Sequence, residues 1–483
     1  MTHCLGTERL SVETLPTIAS LALNPVQPAG QPVMAMQSGA IARGPRWWPI
    51  WLAWTVFVVY GSLVPLDFHP LPWLAAWQRL LDAPMLNLGV ESRADWIANG
   101  VLYLPVGYLT TAMLAGRGHG RPRKLAASVM GLGFGLGLAT AVELAQTAFP
   151  PRTVSRNDLL AEAIGSGLGM LAAWGGARPL WALLQSLAEG GARLRRLLAP
   201  AYLLAFAAWA LFPFDLLLNA AEWQRKLQAD HAAWLLADAS QGLGTVQTLT
   251  KLMAEALATA PIGAWWAASR LAAHQTPRRA SLGRAVLAGA ALGLAVELTQ
   301  LLIASGISQG ASVLTRALGF AAGAWAWTHS AHWHVETVRS LLRRATGLIV
   351  ALYLPLLGLQ SGWGSGPLLG WDRAWQRLAQ DVRLIPLYYH YFTSEAHALV
   401  SLVSTLACYA PMGLLGWGWH LGAGTSAWLA GLLSMVIEAG RLMTEGAKPD
   451  PTNVLIAAAA AWVAHRLAIA LTSDPAHQRR PST

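Results

Sequence analysis

The sequence predicts an all-α fold: a polytopic helical membrane protein of about twelve transmembrane helices, arranged as three four-helix repeats with short interfacial helices. Three observations lead there. Of the 483 residues, 54% are hydrophobic and only 12% charged, whereas a soluble domain carries roughly 25% charged residues; mean hydropathy is +0.41. Apolar runs of bilayer length, about 17–25 residues, recur along the chain. Within those runs the same polar residues return at the same spacing.

The elements follow in order. Residues 1–45 are of mixed polarity and lack the basic and apolar regions of a signal peptide; they read as a disordered N-terminal segment, and Met1, Met34 and Met36 all qualify as the start. Spans are expected at 48–66, 95–116, 124–149, 157–177, 197–213, 246–269, 283–304, 312–329, 345–361, 396–419, 424–444 and 453–471. The first of them serves as an uncleaved signal anchor. Basic clusters then set the orientation: Arg117, Arg121, Arg123 and Lys124; Arg178, Arg193, Arg195 and Arg196; Arg270, Arg278, Arg279 and Arg284; Arg339, Arg343 and Arg344. They occupy alternate loops, which under the positive-inside rule puts both termini in the cytoplasm. The same clustering explains the net charge of +10 without nucleic acid as a partner. Cys4 and Cys408 are far apart and no Cys/His spacing suits a metal, so neither a disulfide nor a metal or other cofactor is expected.

Three motifs recur, each in three copies and in one order. "AVELAQTAFPPRTVSRNDLLAEAIGSGLG" (141–169) aligns without a gap on "AVELTQLLIASGISQGASVLTRALGFAAG" (295–323), and more weakly on "VIEAGRLMTEGAKPDPTNVLIAAAAAW". A Pro-x-Gly stands inside the second helix of each set, at 105–107, 261–263 and 411–413. A Trp-Gln-Arg segment precedes it, at 77–79, 223–225 and 375–377. Self-similarity at a fixed period marks repeated units. The expected division is 46–190, 191–340 and 341–475, with a tail at 476–483. In the Trp-Gln-Arg segments, Trp73, Trp77, Leu80 and Leu81 fall on one helical face, as do Trp371, Trp375 and Leu378. These read as helices lying in the outer interface, either as anchors or as a lid over a site below.

In the first unit the polar residues converge near the outer end of three spans. Asp95 and Asn99 start the second helix, Glu143 and Gln146 end the third, the loop supplies Arg152 and Arg156, and Asn157, Asp158 and Glu162 start the fourth. At 1.5 Å per residue Glu143 lies about 10 Å in from Pro150. Each pair spaced three or four apart shares a helix face. A charge at the bilayer centre costs on the order of 2.5–3.5 kcal/mol even on the lenient scale, so these groups are expected to face inward and pair, with Arg152 or Arg156 as counter-charge. Asn157 suits an N-cap. Gly165 and Gly169 suit close helix packing. Two readings stand: a polar lock between helices, and a ligand-binding pocket.

The other units have lost parts of the set. The second keeps Glu297 and Gln300, but has Gly306, Gly310, Ala311 and Ser312 in place of Arg152, Arg156, Asn157 and Asp158. It carries Lys251 and Glu255 in place of Asp95 and Asn99, so that Lys251 could neutralise Glu255 or Glu297. The third has Glu438 and Arg441 as a self-neutralising pair, with Asn453 in place of Asp158. This loss favours one working site beside two scaffold copies.

Residues 95–108, "DWIANGVLYLPVGY", followed by 143–160, "ELAQTAFPPRTVSRNDLL", resemble the VanZ-like family. Asp95, Asn99, Pro105, Gly107, Glu143, Gln146, Arg152 and Asp158 match its pattern position by position. Family members often carry Asn where this chain has Glu162. The resemblance is good over about 50–177, and the second and third units look like divergent copies. It implies a multi-pass protein of the bacterial cytoplasmic membrane, in a family whose founding member is associated with resistance to the glycopeptide teicoplanin. The function expected on these grounds is non-enzymatic. The outer-leaflet pocket would bind an amphiphile: a membrane lipid, a lipid-linked glycan or cell-wall precursor, or a glycopeptide. The alternatives are a transporter or flippase for an envelope lipid, an intramembrane lipid-modifying enzyme with Glu143 or Asp158 as general base, and a scaffold for an assembly machine. No nucleophile–base pair, phosphate loop or metal set supports the enzyme.

Overall fold

The computed structural model describes residues 47–85, 89–116, 120–228, 232–233, 245–273, 282–330, 333–393 and 395–472. The expected N-terminal segment, the C-terminal tail, Cys4, Arg117, Arg278 and Arg279 lie outside them. The stretch expected as the first unit holds helices α1 (Trp47–Leu63), α2 (Trp73–Leu81), α3 (Val90–Ala115), α4 (Arg121–Gln146) and α5 (Arg156–Glu189). The second holds α6 (Gly191–Leu211), α7 (Ala220–Gln228), α8 (Thr245–Ala273), α9 (Leu282–Gln300) and α10 (Gly310–Ser330). The third holds α11 (Val335–Gln360), α12 (Trp371–Gln380), α13 (Tyr388–Tyr391), α14 (Glu395–Gly418), α15 (Ala423–Leu442) and α16 (Thr452–Thr472). A two-residue parallel pair joins β1 (Ala232–Ala233) to β2 (Ser308–Gln309).

A long helix covers each expected span. Among the described residues, seven helical segments are long and apolar enough to cross a membrane: Ser92–Ala115, Arg121–Gln146, Leu194–Leu211, Leu282–Gln300, Val335–Gln360, His397–Gly418 and Thr452–Thr472. The protein is therefore a polytopic helical membrane protein. The remaining long helices fall short for physical reasons. Helix α1 has 17 residues; α5 runs beyond the expected end at 177 and bends by 78° between Gly175 and Leu180; α10 and α15 are rich in Gly, Ala, Ser and Thr, which trade hydropathy for close packing. Leu204, Leu287 and Leu352 stand 66–75% exposed on long helices, a surface suited to lipid rather than water.

Helix α3 packs closely on α5, α8 on α10, and α14 on α16. Glycine permits each. A Cβ on Gly165 would sit 1.9 Å from the Gly100 carbonyl oxygen, and one on Gly169 1.9 Å from that of Leu104. Gly319 and Gly323 meet the carbonyls of Ala256 and Ala260 in the same way, and the Pro-x-Gly glycines Gly107, Gly263 and Gly413 press on Ser166, Phe320 and Ala461. The recurrent glycines are thus crossing points where backbones touch.

The short helices serve the ends of α4, α9 and α15. A helix C-terminus leaves carbonyls without partners and carries partial negative charge. Arg79 of α2 donates to the Thr147 carbonyl at 3.3 Å. Lys226 of α7 reaches the carbonyls of Gln300, Ile303 and Gly306. Arg377 of α12 reaches those of Leu442, Thr444 and Ala447. In the second unit the cation stands one place after the Trp-Gln-Arg arginine. Each segment is therefore a cationic cap. The expected single face is corrected as well: Trp73, Trp77 and Leu81 are exposed, while Leu80 is buried beside Ala76. Between units, Arg93 of α3 binds Glu222 of α7 through both guanidinium nitrogens, at 2.8 and 3.0 Å. That bond, with the Leu218 N–H, holds the Glu222 carboxyl down at about 2.

Replacing Gly169 by Leu should cost roughly 1–3 kcal/mol or more through overpacking, read as a fall in the melting temperature of detergent-solubilised protein. Gly167→Ala, with nothing within 4 Å of its Cβ, should leave it unchanged or slightly higher; equal losses at both positions would refute the backbone-contact account.

Candidate functional site

One construction appears near the end of α4, α9 and α15. Glu143 accepts a hydrogen bond from the backbone N–H of Ser155. Glu297 accepts one from the N–H of Gln309 at 2.5 Å, and Glu438 one from the N–H of Asp450 at 2.7 Å. In each case the glutamate, one turn before its helix ends, closes the loop onto the start of the next helix. A second recurring contact joins the helix pair: Asn99 Nδ2 to Asp158 Oδ1 at 2.9 Å, Ser312 Oγ to Glu255 Oε1 at 3.0 Å, and Thr405 Oγ1 to Asn453 Oδ1 at 3.5 Å. The glutamates themselves are almost fully buried.

The units differ in what neutralises that glutamate. In the second, Arg316 of α10 lies between two carboxylates. It pairs with Glu297 and, at 3.3 Å, with Glu255, which also accepts from Thr315 at 2.9 Å. Lys251 instead donates to Gln309 Oε1 at 2.6 Å, so the expected counter-charge is corrected from Lys251 to Arg316. Gln300 contributes its carbonyl to Lys226. In the third unit, Arg441 pairs with Glu438 at 3.1 Å, and Asn453 Nδ2 donates to it at 2.8 Å.

In the first unit the described arginines make other contacts. Arg152 donates to the carbonyls of Val64 and Gly61, both at 2.7 Å, and Gln146 donates to Ser62 at 3.0 Å; together they cap the end of α1. The Arg152 guanidinium also lies 4.2 Å from the centre of the Tyr391 ring. Arg156 donates to the Leu81 carbonyl. The expected pairing of these arginines with the carboxylates is thus corrected: terminal carbonyls of neighbouring helices hold them instead. The N-cap is Ser155, whose Oγ accepts from Asp158 N at 3.1 Å, and not Asn157, which is buried and offers its carbonyl to Trp96 Nε1. Asp95 is exposed, away from Asn99's partner. What remains inside is Glu143, Glu162 and Asp158, with Tyr103 against them.

The third unit holds an opening that the sequence reading did not single out. A cavity of about 850 Å³ is lined by Arg383, Lys448, Arg441, His390, Tyr388 and Phe392, among others. It shares Ser401, Arg441 and Asn453 with a second cavity of about 150 Å³ that reaches Glu438 and Cys408. The side chain of His390 is only 10% exposed and stands 3.4 Å from Asp450; neither ring nitrogen makes a hydrogen bond. The signal available beforehand was composition: residues 383–397 gather Arg, Tyr, Phe and His between two spans.

Residues 45–181 match the family model described as VanZ/LLP1. The VanZ-like stretch runs from the start of α1 into α5 and contains the whole first-unit cluster. No curated protein and no solved structure matches the chain. Asn99, Glu143, Gln146, Arg152 and Asp158, which carry the VanZ-like resemblance, divide into two groups: Gln146 and Arg152 cap α1, while Asn99, Glu143 and Asp158 tie α3, α4 and α5 together.

Arg316→Ala strips the counter-charge from two buried carboxylates and should cost about 3–5 kcal/mol, seen as lost yield and a lower melting temperature. Arg441→Ala, where Asn453 and the Asp450 N–H still serve Glu438, should cost clearly less.

Proposed function

We propose that this VanZ-like membrane protein is a non-enzymatic envelope protein that binds the anionic headgroup of an amphiphile, in the cleft of its third unit. The observation that carries the reading is the excess of cationic groups there. Arg377, Arg383, Arg441 and Lys448 face Asp381 and Asp450 across the cavity, with two histidines besides. Arg377 is committed to carbonyls and Arg441 is paired with Glu438, which leaves Arg383 and Lys448, both exposed, to meet a ligand. Charge-assisted hydrogen bonds of guanidinium and ammonium groups to phosphate or carboxylate are about twice as strong as neutral ones. A volume of 300–1,000 Å³ suits a headgroup-sized ligand.

The surroundings fit a lipid route. Trp371 and Trp375 of α12 are 79% and 72% exposed beside the cleft, as indoles at headgroup level are. The VanZ-like unit braces the cleft from the side: Tyr60 donates to the Pro386 carbonyl at 2.6 Å, and Arg152 rests on Tyr391. With twelve spans, three repeated units and both termini in the cytoplasm, the cleft opens outward from a bacterial cytoplasmic membrane. There it would meet lipid-linked cell-wall precursors, polysaccharide carriers or lipophilic glycopeptides. Transport of the same ligand is the second reading, favoured by the second cavity that shares Ser401, Arg441 and Asn453 with the cleft; uptake or scrambling of a labelled lipid in vesicles would distinguish it.

Lipids that co-purify with the protein test the proposal. Lys448→Glu with Arg383→Glu should cut retention of an anionic lipid at least ten-fold, since each charged hydrogen bond contributes about 1.5–3 kcal/mol. Asp95→Asn, which does not line the cleft, should not change it. Equal lipid retention in the charge-reversed protein removes the reading.

A further inference from the structure

The first unit buries two carboxyl groups and half-buries a third beside them, and no ion pair to any of the three is found among the described residues. Glu143 and Glu162 are 2% and 4% exposed, and one oxygen of each, Oε2, has no hydrogen-bond partner. Asp158 lies close enough to interact electrostatically with both. It is itself well served, by Asn99 Nδ2 at 2.9 Å and Ser155 Oγ at 2.6 Å. Tyr103, fully buried, faces Glu162 and Glu143, and its hydroxyl makes no well-formed hydrogen bond.

The other two units show what this position ordinarily receives. Glu162 aligns with Arg316, which neutralises Glu255 and Glu297. In the third unit the aligned residue is Ala457, and Arg441 supplies the charge from the glutamine position. Only the first unit places a further acid where an arginine or a small residue stands elsewhere. Three of its arginines are held elsewhere: Arg79 on Thr147, Arg152 on α1, and Arg156 on Leu81. Helix α1, packed on α3 and α4, contributes no charged side chain. The groups facing the cluster are therefore Asn99 and Tyr103 from α3, Glu143 from α4, and Asp158 and Glu162 from α5. Several like charges at one buried site in a membrane bundle cannot all be ionised.

We propose that Glu143 and Glu162 form a proton-binding site, in which a solvent proton takes the place that Arg316 fills in the second unit. No metal or organic cation is required, because the site is closed by its own packing and a proton is the one cation that enters without displacing a side chain. Asp158 is held by its two donors, and Tyr103 is placed to donate to whichever glutamate is deprotonated. Such a site exchanges charge with solvent near the end of the bundle that carries α2, and it is independent of the cleft in the third unit. Protonable carboxyls of this kind mark relays in membrane proteins.

Infrared spectroscopy of the purified full-length protein reads this directly, because a protonated carboxylic acid has a carbonyl stretch distinct from that of a carboxylate. The wild type should show such a band at neutral pH, and it should disappear in Glu162→Gln. Glu162→Arg, which installs the second unit's solution, should also lose the band while keeping or raising the melting temperature. Glu297→Gln should leave it untouched. Absence of the band in the wild type at neutral pH overturns the proposal, as does its persistence in both Glu162→Gln and Glu143→Gln. Should a variant fail to fold, titration of the wild-type band still decides: it must fade as pH rises. Lipid retention by the cleft is a separate measurement, so failure of one proposal is distinguishable from failure of the other.

Discussion

The arrangement depends on one interaction, a buried carboxylate accepting the backbone N–H at the start of the next helix. Glu143, Glu297 and Glu438 each do this, to Ser155, Gln309 and Asp450. In an apolar bundle neither group has water to fall back on, and an orphaned amide or an isolated charge there costs several kcal/mol. The bond fixes the loop between two helices. In doing so it brings the start of α5, α10 or α16 against α3, α8 or α14, where the glycine and alanine contacts can form. The price of the arrangement is a negative charge in a place of low dielectric, and the three units answer that charge differently.

The second unit is the most completely satisfied, with one guanidinium shared by two carboxylates and the hydroxyls of Ser312 and Thr315 both on Glu255. The third keeps a single carboxylate with an arginine from its own helix, and this leaves room: Arg441 is part of the wall of both cavities. The first keeps the carboxylates and sends its arginines away to the carbonyls of α1 and α2. The same loop closure thus yields a sealed lock, an open cleft and a charge cluster without a counterion.

The arginines explain how the units are joined. Arg93 clamps Glu222 across the first and second units, and Arg152 caps α1 while touching Tyr391 beside the third-unit cleft. A VanZ-like unit so placed is both a bundle of its own and a wall of its neighbour's opening.

Hydropathy, basic clusters and recurring motifs by themselves determined that the chain is helical and membrane-bound, where its helices lie, and that polar residues of α3, α4 and α5 gather near one end. These follow from local rules, namely the length of apolar runs and the spacing of residues on a helix face. Tertiary structure alone decided which cation serves which anion. Arg152, Arg156 and Lys251 sit close in sequence to the carboxylates they were expected to neutralise, yet each binds another partner, because a long side chain goes to whichever buried acceptor is otherwise unmet. The cleft was invisible for the same reason: a cavity is space left between α12, α13, α14 and α15, and no residue in the sequence encodes a gap that only packing creates.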